Sequence, residues 1–204
     1  MSAAPLRYVA LGDSYTIGTA TAGPADRWPD QLVERLGGDD GPIRLVANLG
    51  VNGYTSGDLI ARELPALDRL DPELISLLIG VNDVVQHVSA ERYGRNIAAI
   101  LDELLGRVRA GRIVTVSTPD YTVTPQGGGF GDPATQAAAI RAFNTILRDA
   151  AKDRGIAFVD IHDLSLRAAS DRRLVARDGL HPSAEQYALW VDRFAPVVAG
   201  LTGG

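Results

Sequence analysis

The sequence contains no cysteine, only three histidines, and a single lysine, Lys152, among its twenty basic residues. The absence of cysteine excludes disulfides, thiolate metal ligands and a cysteine nucleophile. A formal charge of −5 argues against long-range attraction to nucleic acid or to an anionic membrane surface. We interpret the arginine bias as the codon usage of a GC-rich bacterium rather than as a phosphate-binding device.

Long apolar runs are missing as well. No stretch approaches 18 consecutive apolar residues, so the sequence predicts no transmembrane helix. Residues 1–7 contain no basic segment followed by an apolar run, so no secretory signal is expected. We therefore expect a cytoplasmic protein, although a secreted chain that had lost its signal would look the same. The length of 204 residues predicts a single domain over residues 1–204.

Short apolar runs alternate with longer segments of helical period, a pattern that indicates parallel strands connected by helices. The runs show little alternation, as expected for strands covered on both faces. The predicted strands are Tyr8–Leu11, Arg44–Val46, Leu74–Ile79, Ile113–Ser117 and Ala157–Ile161. The predicted helices are Trp28–Leu36, Ser56–Leu70, Ala90–Arg109, Pro133–Arg154 and Ser183–Val198. The predicted fold class is α/β, a three-layer α/β/α sandwich with a five-stranded parallel, flavodoxin-like sheet.

A serine follows the first predicted strand in the turn Gly12-Asp13-Ser14, at the edge of the sheet where ligands bind. A serine hydroxyl becomes a nucleophile only beside a base and facing donors for an oxyanion. Alone, this turn is also compatible with a helix N-cap or a phosphate-binding turn. The segment fits neither G-x-G-x-x-G nor the P-loop pattern, which disfavours a nucleotide binder. The missing G-x-S-x-G elbow disfavours an ordinary α/β-hydrolase.

Near the other end of the chain, Asp178 precedes His181 by three residues and Pro182 follows it. A histidine before a proline at the start of a helix lies on a turn and can point into a cleft. The Asp178 carboxylate could then hold one ring nitrogen, fix the tautomer and stabilise an imidazolium. The alternative is a surface turn with a capping histidine.

Two further turns follow the second and third predicted strands, at Asn48–Gly53 and Gly80–Asp83. Glycines in the first turn allow a backbone N–H to approach a ligand closely. Asn82 in the second supplies a neutral carboxamide donor suited to an oxyanion. Each turn is ordinary by itself, but all four would cluster at one edge of the predicted sheet.

In order and spacing, these four blocks resemble the sequence blocks of the SGNH, or GDSL-type, serine hydrolases from Ser14 to His181. The resemblance implies that Ser14 is the nucleophile, His181 the general base and Asp178 the acid that orients the histidine. It also implies an oxyanion hole made of the backbone N–H groups of Ser14 and Gly53 and the side chain of Asn82. Tyr15 replaces the family's usual leucine, which concerns the pocket lining rather than the chemistry.

The resemblance implies a carboxylic ester hydrolase, an esterase or lipase, that forms an acyl-enzyme on Ser14 without cofactor or metal. The expected partner is a small-molecule ester or thioester with a short acyl group, because the chain is too short for a large lid. An acyltransferase or a carbohydrate O-deacetylase with the same triad remains an alternative. A non-catalytic binding module is disfavoured because every triad residue is present.

Several other residues have ordinary structural explanations. Asp13 and Asp83 are expected to brace their turns. The glycine-rich segment 125–133, with Phe130 at its apolar tip, is either a flexible surface loop or a flap beside the site. His87 is a further candidate for the cleft, and a metal site at His162 is disfavoured by the spacing of its neighbouring acids. Glu34, Glu63, Glu91 and Glu103 are expected to be solvated, and Trp28 and Tyr54 to form cavity walls or core.

Overall fold

The structure, a computed structural model, describes residues 4–203 of the chain. Its sheet has five parallel strands in the order β2-β1-β3-β4-β5. The strands are β1 (Leu6–Gly12), β2 (Ile43–Asn48), β3 (Leu74–Leu78), β4 (Ile113–Val116) and β5 (Ala157–Val159). This is the flavodoxin-like order, so both the five predicted strands and the predicted sheet are confirmed.

Eight α-helices connect and cover the strands in the described part of the chain. They are α1 (Ser14–Ile17), α2 (Trp28–Arg35), α3 (Ser56–Ala66), α4 (Val81–Val85), α5 (Ala90–Leu105), α6 (Pro133–Asp153), α7 (His162–Leu166) and α8 (Ala184–Thr202). One layer contains α2 packed on α8, and the other contains α3 on α5 and α5 on α6. The sheet therefore lies between two helical layers, as the sequence predicts.

The sequence explains where the covering helices begin. Thr55 and Asp58 form a reciprocal capping box at the start of α3. Asp132 caps α6 ahead of Pro133, and Ser183 caps α8. The apolar faces of these helices meet a sheet whose central strands β1, β3 and β4 are largely buried, and the buried side chains form a continuous core.

Local differences from the predicted elements occur at helix ends and in turns. The helix predicted over Ser56–Leu70 ends at Ala66 and continues as a 3₁₀ turn, and the one predicted over Ala90–Arg109 ends at Leu105. The short helices α1, α4 and α7 are not predicted by the sequence pattern. Among residues 4–203, no helix is long and apolar enough to cross a membrane.

The strand order places one crevice at the centre of the sheet. The chain runs from β1 to β2 on one side and then crosses past β1 to β3 on the other side, which makes the carboxyl ends of β1 and β3 the topological switch point. Gly12 at the end of β1 pairs with Leu78 at the end of β3. The predicted turns at Ser14, Gly53 and Asn82 therefore all open at the same edge.

Candidate active site

Ser14 is the first residue of α1, immediately beyond the end of β1. Gly12 has φ +151°, and a Cβ there would collide with the Leu78 carbonyl oxygen of the neighbouring strand, so only glycine fits. Asp13 then caps the helix by accepting the Tyr15 N–H at 3.0 Å, which confirms its predicted bracing role. In the described part of the chain, the Ser14 N–H donates to no protein acceptor.

Gly53 lies in the turn between β2 and α3 and has φ +81°, a backbone conformation that favours glycine. Its missing side chain would point into open space, with no atom within 4 Å. Among residues 4–203, its N–H has no protein acceptor. Asn48 holds this turn against α1, donating to the Thr16 carbonyl at 2.7 Å and accepting the Gly50 N–H at 3.1 Å.

Asn82 lies in the first turn of α4, just after β3. Its Nδ2 donates to the Tyr54 carbonyl at 3.0 Å and lies 3.4 Å from Oδ2 of Asp13. The neighbouring Asp83 is fully buried and accepts the N–H and hydroxyl of Ser56, so its predicted role as a brace is confirmed. The carboxamide is therefore fixed between the turns that follow β1 and β2.

Asp178 and His181 form a hydrogen-bonded pair on the turn before α8. The Nδ1 of His181 lies 2.6 Å from Oδ2 of Asp178, while Oδ1 accepts the N–H groups of Leu180 and His181, each at 3.0 Å. Partial burial favours a raised pKa for Asp178, but these hydrogen bonds outweigh it and hold its pKa below the ordinary value. Asp178 therefore stays ionised at neutral pH, as a carboxylate that can stabilise an imidazolium.

A cavity of about 190 Å³ brings the predicted residues together. Ser14, Gly53, Asn82 and His181 all line it, and Asp178 lies behind His181. The rest of the wall is largely apolar: Tyr15, Val81, Val85, Tyr121, Phe130 and Leu180. Neither His87 nor Tyr54 contributes a lining side chain.

The family model for GDSL-like lipases and acylhydrolases matches residues 10–189, which is most of the chain and includes all four of these turns. The chain belongs to the GDSL-like lipase/acylhydrolase family. This GDSL protein is accordingly a carboxylic ester hydrolase, as the sequence blocks imply. No curated protein sequence matches it.

Solved structures with this fold cover nearly the whole GDSL chain. An acetyl xylan esterase variant from Geobacillus stearothermophilus has a TM-score of 0.75 at 20% identity, over 95% of this chain and 94% of its own. A lipolytic protein of the G-D-S-L family from Desulfitobacterium hafniense has a TM-score of 0.75 at 21% identity, over 94% and 99%. The psychrotrophic esterase EstA from Pseudoalteromonas sp. has a TM-score of 0.72 at 16% identity, over 97% and 99%. At these identities the likeness establishes the fold alone.

A buried acid, Glu63, lies beneath the Ser14 turn of this GDSL hydrolase, and its predicted exposure to solvent is wrong. Glu63, expected to be a solvated charge on α3, is only 2% exposed and accepts the Gly12 N–H at 2.9 Å. Burial raises the pKa of Glu63 to about 9, against the lowering effect of the Gly12 hydrogen bond and with a further rise from the Asp13 charge. Glu63 is therefore a neutral carboxylic acid at neutral pH.

Asp13 is also buried, and its environment differs from that of Asp178. Burial raises the pKa of Asp13 to about 7, although the Tyr15 N–H lowers it in part and the charge of Asp83 adds to the rise. The two aspartates thus have pKa values displaced in opposite directions. Asp178 has the ionised carboxylate beside the histidine, whereas Asp13 supports the turn from below.

The glycine-rich segment 125–133 is anchored to the protein at several points. Gly127–Phe130 forms a 3₁₀ turn, and a Cβ on the buried Gly127 would collide with the Tyr121 carbonyl. Gln126 N–H donates to the Gly179 carbonyl at 3.0 Å, which links the segment to the turn that carries His181. Phe130 is 38% exposed, lines the cavity and meets the Tyr121 ring edge-on at 5.7 Å. The segment thus lies at the surface and reaches the cavity through Phe130, and its role as a flexible loop or as a flap stays a prediction.

The remaining candidates belong to the core or to other surfaces. Trp28 is fully buried and stacks on Phe194 at 4.9 Å, so it is a core residue. His162 lies 3.7 Å from Asp120, and no group of three or more potential metal ligands exists among the described residues. The apolar wall residues Val81, Val85, Tyr121 and Leu180 are missed by sequence reasoning, because apolar side chains in α/β loops have no distinguishing pattern.

Proposed function

We propose that this GDSL hydrolase cleaves small carboxylic esters with short acyl groups, through an acyl-enzyme on Ser14. The observation that carries the proposal is the common cavity of Ser14 and His181, with Nδ1 of His181 occupied by Asp178. Because Asp178 occupies Nδ1, Nε2 is the ring nitrogen left to accept the serine proton. In this proposal Ser14 is the nucleophile, His181 the general base and Asp178 the residue that orients the histidine.

The proposed reaction proceeds in two steps, acylation of Ser14 and hydrolysis of the acyl-enzyme. Ser14 Oγ attacks the ester carbonyl carbon while His181 accepts the hydroxyl proton, and the carbonyl oxygen becomes an oxyanion. The carbon–oxygen bond to the alcohol then breaks, and His181 gives its proton to the departing alkoxide. Water attacks the acyl-enzyme with His181 again as base, and the proton returns to Ser14 Oγ as the carboxylic acid leaves.

Three donors are proposed to stabilise the oxyanion: the N–H groups of Ser14 and Gly53 and the Nδ2 of Asn82. Two observations support this assignment. Within residues 4–203, both backbone N–H groups lack protein acceptors, and all three residues line the cavity. Donors held in place before the reaction act most strongly in a site that excludes water.

The proposed preference for short acyl groups rests on the size and lining of the cavity. Sites for drug-sized ligands usually occupy about 300–1,000 Å³, whereas this cavity has a volume of about 190 Å³. Its apolar walls suit a short hydrocarbon chain, which gains free energy when it leaves water. An acetyl to butyryl ester is the expected substrate, and a thioester of the same size would fit the same chemistry.

A carbohydrate O-deacetylase is the second candidate. Two observations favour it: the small cavity suits an acetyl group, and an acetyl xylan esterase has the same fold. Release of acetate from acetylated xylan, compared with release from a simple aryl acetate, would separate the two candidates. Faster turnover of the polymer would identify the deacetylase.

The proposed function is tested by turnover of p-nitrophenyl esters from acetate to palmitate. We expect the highest kcat/KM among the shortest chains and a steep fall beyond butyrate. Ser14→Ala should abolish turnover, while Ser170→Ala, which changes an exposed serine outside the cavity, should retain it. Undiminished activity in Ser14→Ala would overturn the serine mechanism. No turnover of any ester would favour a transferase.

A further inference from the structure

A second, smaller cavity lies directly behind the active-site cavity. Its volume is about 10 Å³, no larger than the space that one water molecule needs. Three residues line both cavities: Tyr15, Tyr121 and Leu180. The far side of the smaller cavity is formed by Ser165, Ala168, Gln186 and Trp190, among others, and none of these four lines the active-site cavity. The shared side chains are therefore a partition between the two spaces.

Tyr15 is the member of this partition nearest to the nucleophile, since it follows Ser14 in α1. Its side chain is almost fully buried, and its ring centroid lies 5.3 Å from that of His181 and 6.5 Å from that of Trp190. The ring thus extends from the active-site cavity toward the back wall of the smaller one. These two ring contacts hold the Tyr15 side chain in place.

The other two shared residues, Tyr121 and Leu180, make further contacts that hold neighbouring segments in place. The Tyr121 hydroxyl donates to Gln136 of α6, and its ring meets Phe130. Leu180 lies inside the turn that joins Asp178 to His181, and its N–H bonds to the Asp178 carboxylate. Tyr15 is therefore the partition residue that can be replaced without losing the Tyr121–Gln136 hydrogen bond and without changing a residue inside the turn that holds Asp178 and His181.

We propose that Tyr15 is a specificity-determining residue whose ring closes the active-site cavity and limits the length of the substrate group that enters it. The inference rests on the proposed ester hydrolysis at Ser14 and extends it to substrate choice. A smaller side chain at position 15 joins the two cavities, so that a longer acyl or alcohol group is accommodated. The apolar ring itself, and not the hydroxyl, does the limiting.

The test compares wild type, Tyr15→Leu and the matched control Tyr15→Phe, which preserves the ring. Two substrate series separate the two groups of the ester: p-nitrophenyl esters from acetate to octanoate, and acetate esters of alcohols of increasing length. Each added methylene in a well-fitted pocket changes kcat/KM by roughly 10–200-fold. In Tyr15→Leu we expect the ratio of kcat/KM for the long substrate to that for the short one to rise at least about tenfold in one series. Tyr15→Phe should keep the wild-type ratio.

A second variant tests whether the added length enters the smaller cavity. Ala168 is buried and lines only that cavity. Ala168→Val in the Tyr15→Leu background should reverse the gain for long substrates, while Ala168→Val alone should leave the wild-type ratio unchanged because the ring still separates the two spaces. If Tyr15→Leu does not fold, as judged by circular dichroism, Tyr15→Met replaces it in the same comparison.

The two ways of failing are distinguishable. If wild type turns over no ester of either series, the proposed function fails and the specificity proposal falls with it. If wild type is active and Tyr15→Leu lowers kcat/KM equally for all lengths, ester hydrolysis stands and Tyr15 merely supports His181. A gain that Ala168→Val does not reverse would also overturn the proposal, because the extra length would then lie elsewhere.

Discussion

The amide hydrogens of Asn82 have two acceptors within reach in the described part of the chain. One hydrogen is directed to the Tyr54 carbonyl, and Nδ2 also approaches the Asp13 carboxyl at 3.4 Å. A distance of 3.4 Å is long for an N–H···O bond, whose usual length is about 2.9–3.0 Å. The second hydrogen is therefore weakly held, and a developing oxyanion in the cavity can attract it.

Replacement of Asn82 by alanine is expected to lower kcat about 100–1,000-fold, since one oxyanion donor contributes roughly 2.7–4 kcal/mol to transition-state stabilisation. The fold should persist, and circular dichroism and thermal unfolding would check this. Asn52, which also lines the cavity, gives a matched control, and Asn52→Ala should show a far smaller loss. Wild-type turnover in Asn82→Ala would refute the donor role.

Asp178 is proposed to act through His181, whereas Asn82 is proposed to contact the oxyanion directly. Its carboxylate accepts from Nδ1 of His181 and from two backbone N–H groups, which keep it ionised and the turn in place. Asp178→Asn preserves the shape but allows the amide to donate to Nδ1, which places the histidine proton on the wrong nitrogen. We expect kcat to fall on the order of 10⁴-fold with little change in KM.

Circular dichroism and a pH–rate profile together separate positioning from structural damage in Asp178→Asn. The variant should fold as wild type does, and its kcat should stay low even at alkaline pH, because the two neutral tautomers have the same charge and their ratio does not change with pH. The Asp171→Asn variant changes a residue on the same segment but outside the cavity. Its kcat should equal that of wild type at every pH tested. A loss in Asp178→Asn that disappears on longer refolding would argue against the orienting role.

At the scale of elements, helix α3 contacts the end of β1 through the neutral side chain of Glu63, which accepts the Gly12 N–H. Burial raises the pKa of Glu63 from 4.5 to about 9. The folded protein therefore keeps a proton that the unfolded chain releases above pH 4.5. This contribution to stability is complete below about pH 4.5 and is lost as pH rises through about 9. Deprotonation of Glu63 would put a buried charge beside the Gly12–Ser14 turn.

Glu63→Gln should therefore flatten the dependence of stability on pH between 5 and 9. One pKa unit corresponds to about 1.4 kcal/mol, so the wild-type free energy of unfolding should fall by a few kcal/mol more than that of the variant over this range. Urea unfolding at successive pH values measures the difference. Glu34→Gln, an exposed change on α2, is the control, and parallel curves for Glu63→Gln and wild type would contradict the assignment.

The elements also mark the limit of sequence-based prediction. All five strands are predictable because each contains a short segment rich in apolar residues, and the longer helices because their apolar face repeats. The helices α1, α4 and α7 have four or five residues, too few to show a period of 3.6. Glu63 is missed for a related reason: a lone carboxylate on a helix indicates solvent until tertiary packing buries it.

Over the whole molecule, the candidate site draws on residues from Ser14 to His181 that only the strand order brings together. The polar members were predictable because each follows a strand or precedes a helix and has the right chemistry for its place. The apolar walls were not, since the contact of Tyr15 with Trp190 and the approach of Phe130 depend on how distant segments pack. The sequence therefore predicts the reaction chemistry of the candidate site better than it predicts the size of substrate that fits there.

The strand order also places residues that affect only stability and residues of the candidate site at opposite edges of the sheet. Parallel strands gather the site at their carboxyl ends, while the connecting helices return to the opposite edge before the next strand begins. Leu104, near the end of α5, is fully buried at that opposite edge, ahead of β4. Its contacts are with the core and not with the cavity.

Leu104→Ala should lower the free energy of unfolding by about 2–5 kcal/mol, the usual effect of a large-to-small change in a core. Well below the unfolding transition, kcat should stay within about twofold of wild type, because the cavity and its hydrogen bonds lie at the other edge of the sheet. Leu166→Ala, which changes a leucine that is 40% exposed, should alter stability by no more than about 0.5 kcal/mol. Urea unfolding and turnover measured on the same samples decide the matter: a large loss of kcat in folded Leu104→Ala would mean that the site geometry depends on packing throughout the core.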